Sequence, residues 1–229
     1  MRTGLRFVLL AGLATAWLAF PVESPIAGTI VGKVTLTGDY ALAGKAAMDA
    51  DGLIRAQRSV VVSQKGGLAN AVIYLKDVPG DFPAPSTPAE LDQKEKTYVP
   101  HVLPILQGQK VDIANTDGIL HNVHAYAGDD TVFNLAMPPY RKHATMEIST
   151  DHVVMIACDV HHHMRAWIFP VDNPFFSVSR QSGLFSIEGV PAGTYTIEAW
   201  HEVFGALQQT VTVKEGTAKT PVLFKFQAR

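Results

Sequence analysis

From residue 28 onward the chain alternates. Ile30, Val34 and Leu36 share one parity, while Thr29, Val31, Lys33 and Thr35 hold the other, and Gly32 interrupts the apolar face. Period two of this kind predicts a β-strand. Residues 38–67 are rich in Ala and Gly without a sustained period, and a short strand over 60–62 is all they predict. "NAVIYLKDV" (70–78) is strand-like, and the Pro-rich polar stretch "PGDFPAPSTPAELDQKEK" (79–96) predicts a long connection. Short β-branched and apolar segments follow: "TYVPHVLPIL", "QKVDIANT", "LHNVHAY", "ATMEIST", "HVVMIAC" and "RAWIF", separated by Gly, Asp, Asn and Pro. That spacing predicts a sandwich or barrel.

"VDNPFF" (171–176) breaks the pattern. Beyond it Phe185 and Ile187, then Tyr195, Ile197 and Ala199, alternate with polar residues around turns at Ser182-Gly183 and Pro191-Ala-Gly193. The expected organisation is all-β, with one sandwich over residues 28–173 and a second, smaller one over 174–229. Residues 1–27 carry Arg2 and Arg6 ahead of an uncharged run from Phe7 to Phe20, the layout of a secretory signal peptide. The apolar run is short for a spanning helix, so no membrane span is expected unless this segment stays uncleaved. Export, most simply to a periplasm, is the expectation.

Charge removes one class of function. Nineteen basic against 21 acidic residues give a net charge of −2, with the basic residues scattered, so there is no footprint for nucleic acid. No Gly-rich phosphate loop and no nucleophile elbow occurs. Neither an orienting third group nor an oxyanion hole accompanies a Cys–His pair, so no enzyme activity is expected.

The candidate chemistry lies in "CDVHHHMRAW" (158–167). Cys158 is the sole cysteine, and in an oxidising compartment an unpaired thiol is safest when something occupies it. Val154, Ile156 and Cys158 share a strand face, so the thiol points inward at the end of its strand. The following turn brings His161 and Met164 back toward it, and His121, at the start of "HNVHAY", supplies a second imidazole. Thiolate and thioether favour Cu(I), and imidazole accepts both oxidation states, so two imidazoles, a thiolate and a weak axial thioether suit one copper ion cycling between Cu(I) and Cu(II). His124, His162 and His163 are rival imidazoles, although strand parity sends His121 and His124 to opposite faces. Zinc held by Cys158 and three histidines is the other metal to weigh, but zinc gains little from Met164. His101, His143 and His152 stand isolated and are expected to be structural or solvent-facing.

The Cys158-x-x-His161-x-x-Met164 loop with "HNV" at His121 resembles the ligand set of cupredoxins, the blue copper proteins. The wider arrangement "ILHNVHAY", "FNLAMP", "CDVHHHMRAW" and "GLFSIEGVPAGTYTIEAWHE" is similar to exported cupredoxin-like proteins of the methylamine-utilisation type. These carry a C-terminal transthyretin-like, carboxypeptidase-regulatory-like β-sandwich. The resemblance implies a Greek-key copper sandwich with His121, Cys158 and His161 as equatorial ligands and Met164 as the axial one. It implies that Asn122 ties the histidine loop to the cysteine loop by hydrogen bonds. The expected function is one-electron carriage between periplasmic redox partners such as a cytochrome or a dehydrogenase. Copper delivery through an exposed His-rich loop and a metal-free binding module are the alternatives. Trp167, Tyr126 and "LAMPPY" (135–140) are candidates to shield the copper edge and offer an apolar docking patch, with core packing an equal reading for Trp167.

Overall fold

Eighteen strands account for the regular structure of a computed structural model that describes residues 27–38, 46–48, 54–56, 60–216 and 219–228. They are β1 (Gly28–Thr37), β2 (Ala46–Met48), β3 (Ile54–Ala56), β4 (Val72–Lys76), β5 (Ala89–Lys94), β6 (Thr97–Val99), β7 (Val102–Leu106), β8 (Lys110–Asn115) and β9 (His121–Ala127). Then come β10 (Asp130–Met137), β11 (His143–Glu147), β12 (Val154–Ala157), β13 (Arg165–Val171), β14 (Phe176–Val178), β15 (Leu184–Val190), β16 (Gly193–His201), β17 (Gly205–Val213) and β18 (Lys219–Gln227). The all-β expectation holds. Among the described residues no helix is long and apolar enough to cross a membrane, and the signal-peptide expectation lies outside the described residues.

Two sheets make the first sandwich, ordered β10-β9-β12-β13-β7 and β11-β8-β5-β6. Period-two side chains from both meet in one core: Leu91, Val111 and Ile113 from one sheet face Val123, Val154, Ile156 and Ile168 from the other, all buried. Cys158 and Met164 belong to that core. The strand β5 lies inside the stretch expected to be a connection. Its residues Ala89–Lys94 carry buried Leu91 and Gln93 on one parity, but the Pro-rich residues before them mask the signal.

The second sandwich is built from β15-β1-β18 and β14-β4-β16-β17. The division expected at residue 173 is therefore not followed. β1 runs parallel to β18 from Thr29↔Lys219 to Thr37↔Gln227, and β4 lies between β14 and β16. Ile30, Val34, Leu36, Ile73 and Leu75 pack with Phe185, Ile197 and Phe224. Strand parity says which face is apolar and nothing about which distant strand will cover it, so β1 and β4 belong to the second sandwich although their place in the chain predicts the first. The first sandwich is inserted between β4 and β14. Gly32, the break in the apolar face of β1, has a packing reason: a Cβ there would lie 2.2 Å from the Val222 carbonyl oxygen and 2.4 Å from the Phe185 ring.

An aromatic joint links the sandwiches. Phe169 of β13 packs against Tyr74 and Trp200 of the second sandwich, with ring centroids 5.2 and 5.1 Å apart, and Trp167 meets Trp200 edge-on at 5.8 Å. Val72, Val102, Leu106 and Val171 fill in around them. A shallow cleft of about 320 Å³ opens beside this joint; Glu198 on its wall is engaged by Tyr74 at 2.5 Å, by Lys76 at 3.4 Å and by Gln208.

His201 ends β16 fully buried beside Phe204 and Phe226. Its Nδ1 accepts the Val203 N–H at 3.1 Å. Burial depresses its pKa, outweighing the Glu202 charge that acts the other way. The unfolded chain therefore binds a proton near the ordinary value of 6.5 while the folded chain does not. Stability is complete above that value and falls as pH drops below it, levelling off once the lower folded-state pKa is passed. Thermal midpoints of the wild type and His201→Phe, compared from pH 8 to 5, are expected to diverge, with the wild type falling faster on acidification. Parallel curves would show that His201 is not a source of acid sensitivity.

Candidate metal centre

Register places the candidate ligands. β9 and β12 pair antiparallel with Ala157 opposite His124, so the residues just beyond, Cys158 and Asp159, come alongside Val123 and Asn122. The Asn122 N–H then points at the Cys158 sulfur, 3.4 Å away, and the His161 N–H reaches the same sulfur at 3.4 Å as the chain turns. His161 closes that turn by accepting the Met164 N–H at its carbonyl, 2.9 Å. Asn122 bonds across to the cysteine loop. Its Oδ1 accepts the Asp159 N–H at 2.6 Å, and its Nδ2 donates to Asp159 Oδ2 at 3.2 Å and to Asn134.

His121, Cys158 and His161 come together, with one ligand atom from each within 4.8 Å of the others. His121 Nδ1 is 3.1 Å from His161 Nδ1, and Cys158 Sγ is 3.8 Å from His161 Nδ1. Metal bonds of about 2.0–2.3 Å to nitrogen and sulfur place two ligands of one ion about 3.5 Å apart, so this spacing suits a shared ion. Met164 is 1% exposed in the same core as Cys158.

The charges favour a cation. Burial alone would raise the Cys158 thiol, but His121 and the N–H groups of Asn122, His161 and Val160 stabilise the thiolate and leave its pKa below the ordinary thiol value. Burial lowers His121, yet Cys158 and Asp117 overcome this and raise it. Asp117 Oδ2 lies 2.8 Å from His121 Nε2. Burial would raise this carboxyl, and the Lys96 N–H, His121 and the Glu95 N–H hold it below the usual carboxylate range. An ionised carboxylate only accepts, so Nε2 carries the hydrogen and Nδ1 turns its lone pair to the site.

The rival imidazoles lie elsewhere. His124 stacks on Tyr126 and bonds to the Tyr126 hydroxyl at 2.6 Å and to Asp159, on the other face of β9. His162 is exposed, and His163 Nε2 donates to the Lys96 carbonyl at 3.1 Å. Within the 161–163 run, His161 alone joins the cluster. Of the patch candidates, Trp167 packs in the joint between the sandwiches, Tyr126 is half-buried against His124, and Tyr140 of "LAMPPY" is 84% exposed. Of the isolated histidines, His143 and His152 lie at the surface, and His101 is bonded to Glu202 at 2.7 Å.

Sequence reasoning missed Asp117 and Tyr98. Asp117 stands four residues before His121 in a turn, and an acidic residue so placed before a ligand histidine was a usable signal. The Tyr98 hydroxyl is shared between the Asn122 and Ala157 carbonyls at 2.6 and 3.1 Å. Burial, with the nearby Cys158 and Asp159 charges, holds it well above the ordinary phenol range and keeps it a donor.

Comparison with known proteins finds likeness at two levels. Residues 175–221 match the family model described as polysaccharide lyase family 4, domain II. No curated protein matches the chain by sequence. Among solved structures, a Cu-containing nitrite reductase from Thermus scotoductus SA-01 is similar over 41% of this chain, at 15% identity and a TM-score of 0.34; the chain spans only 24% of that enzyme's length. Amicyanin from Paracoccus versutus is similar over 43% of this chain and 97% of its own, at 18% identity and a TM-score of 0.33.

Proposed function

We propose that this is an exported mononuclear copper protein that carries single electrons between periplasmic redox partners, such as a cytochrome or a dehydrogenase, without substrate chemistry of its own. One observation carries it: His121 and His161 present nitrogen, and Cys158 a sulfur biased toward thiolate, at the spacing of ligands to one ion. Met164 lies in the same core as a soft fourth donor. When bound, copper supplies a one-electron couple between Cu(I) and Cu(II). The chain supplies rigidity. Asp117 orients His121, two backbone N–H groups hold the sulfur, and Asn122 locks the two loops together.

Access favours carriage over delivery. His121 and Cys158 are buried, and His161 alone of the three is partly exposed, so the ion would be retained with one edge near the surface. Exposed Leu120 and Val160, immediately before His121 and His161, would give a docking partner an apolar rim. Export rests on the pattern of residues 1–27.

The test is one equivalent of Cu(II) added to the mature protein and followed by optical absorption and electron paramagnetic resonance. An intense visible band should appear, bleach on reduction by ascorbate and return on reoxidation by ferricyanide. Weak tetragonal copper without that band would refute electron carriage at this site.

A further inference from the structure

Seven consecutive residues, 95–101, reach every loop that carries a candidate ligand. The chain reverses over two residues at Glu95–Lys96, where both have φ of 53° and Lys94 pairs with Thr97. Those two N–H groups donate to the Asp117 carboxylate at 2.5 and 2.9 Å, and Asp117 in turn holds His121. The Lys96 carbonyl accepts from His163, two residues past His161. The Tyr98 hydroxyl is shared between Asn122, which follows His121, and Ala157, which precedes Cys158.

The same segment is held from the second sandwich. His101 Nε2 is 2.7 Å from Glu202 Oε1, and the Glu202 side chain, at the β16–β17 hairpin, is only 2% exposed. Its other oxygen, 3.6 Å from His201 Nδ1, has no hydrogen-bond partner among the described residues, so His101 donates the side-chain hydrogen bond that this buried carboxyl group accepts. The His101 carbonyl accepts the Trp167 N–H at 2.9 Å, which seats it on β13 at the aromatic joint. A buried polar group keeps its place only while its hydrogen-bond partner does.

We propose that residues 95–101 form one bracket that sets the spacing of the His121, Cys158 and His161 loops. Glu202 holds that bracket from the second sandwich through His101. Tyr98, His101 and Glu202 are thereby positioning residues, and the second sandwich acts on a site it does not touch. Metal sites keep their geometry only when the partners behind the ligands are themselves locked. The consequence for the metal rests on the copper function proposed above; the mechanical link does not.

Amide hydrogen exchange on the metal-free protein reads the link directly. In Glu202→Ala and in Tyr98→Phe, the Asn122 and His161 N–H groups are expected to exchange about tenfold faster or more, while Ile113, in the opposite sheet, stays unchanged. Glu198→Gln, a buried carboxylate of the same sandwich bonded to Tyr74, Lys76 and Gln208, should leave Asn122 and His161 as they are. In the Cu(II)-loaded protein, Glu202→Ala should also change the copper hyperfine splitting. Faster exchange confined to the 201–205 hairpin overturns the proposal, as does a uniform rise that includes Ile113. If copper fails to give a thiolate band but the exchange pattern appears, the bracket stands and the copper function falls.

Discussion

The Cys158→Ser protein, loaded with one equivalent of Cu(II), is expected to show essentially none of the intense visible absorption that the copper function proposed above predicts for the wild type. That absorption requires a thiolate bonded to copper, and Cys158 is the one cysteine of the chain. A serine hydroxyl stays protonated where the thiol is poised to ionise and is a far poorer soft donor. The substitution is otherwise mild. The sulfur accepts the Asn122 and His161 N–H groups, and a hydroxyl oxygen can accept the same two, so the fold should persist with a small change in thermal midpoint. Residual copper should give the weak, wide-split resonance of nitrogen and oxygen ligation. An undiminished band in the variant would remove Cys158 from the site.

Phe169→Ala is expected to lower unfolding free energy by about 3–5 kcal/mol, the range for emptying a packed aromatic site. Phe169 is 5% exposed and joins Tyr74 and Trp200 across the boundary between the sandwiches. Each tilted pair adds about 0.5–1.5 kcal/mol beyond buried area. The loss falls at the joint, so its signature differs from that of an ordinary core truncation. Urea unfolding of residues 28–229 followed by tryptophan fluorescence, which there reports Trp167 and Trp200, should separate from unfolding followed by far-ultraviolet circular dichroism, because the sandwiches then melt with less mutual support. A loss under about 1 kcal/mol with coincident curves would show that the joint contributes little.

Side-chain direction along a strand is legible in the chain, and the identity of a strand's distant partner is not. The parity of Val154, Ile156 and Cys158 placed the thiol in the core, and the parity of "HNVHAY" separated His121 from His124, because side-chain direction along a strand is a local property. The fate of β1 and β4 was hidden, since their partners lie more than a hundred residues away. The Glu95–Lys96 reversal was hidden for another reason. Two residues with positive φ usually advertise themselves as Asn or Gly, and here the carboxylate of Asp117 holds a Glu and a Lys in that conformation instead. His161 could not be told from its two neighbours because what separates them is the reach of each ring: His163 to a backbone carbonyl, His162 to solvent, His161 to the sulfur.

The strands on either side of the insertion, β4 and β14, are paired with each other, Tyr74 opposite Phe176. The first sandwich therefore leaves and re-enters its host at neighbouring points of one sheet, like a lantern bolted by both feet rather than hung from a cord. A single tether would let it sweep through solvent and search for a partner by itself. Two adjacent mounts, stiffened by the aromatic joint, take that freedom away. Any exchange of electrons at the His161 edge would then depend on how the whole molecule collides, and its rate should rise in proportion to partner concentration with no contribution from a swinging arm.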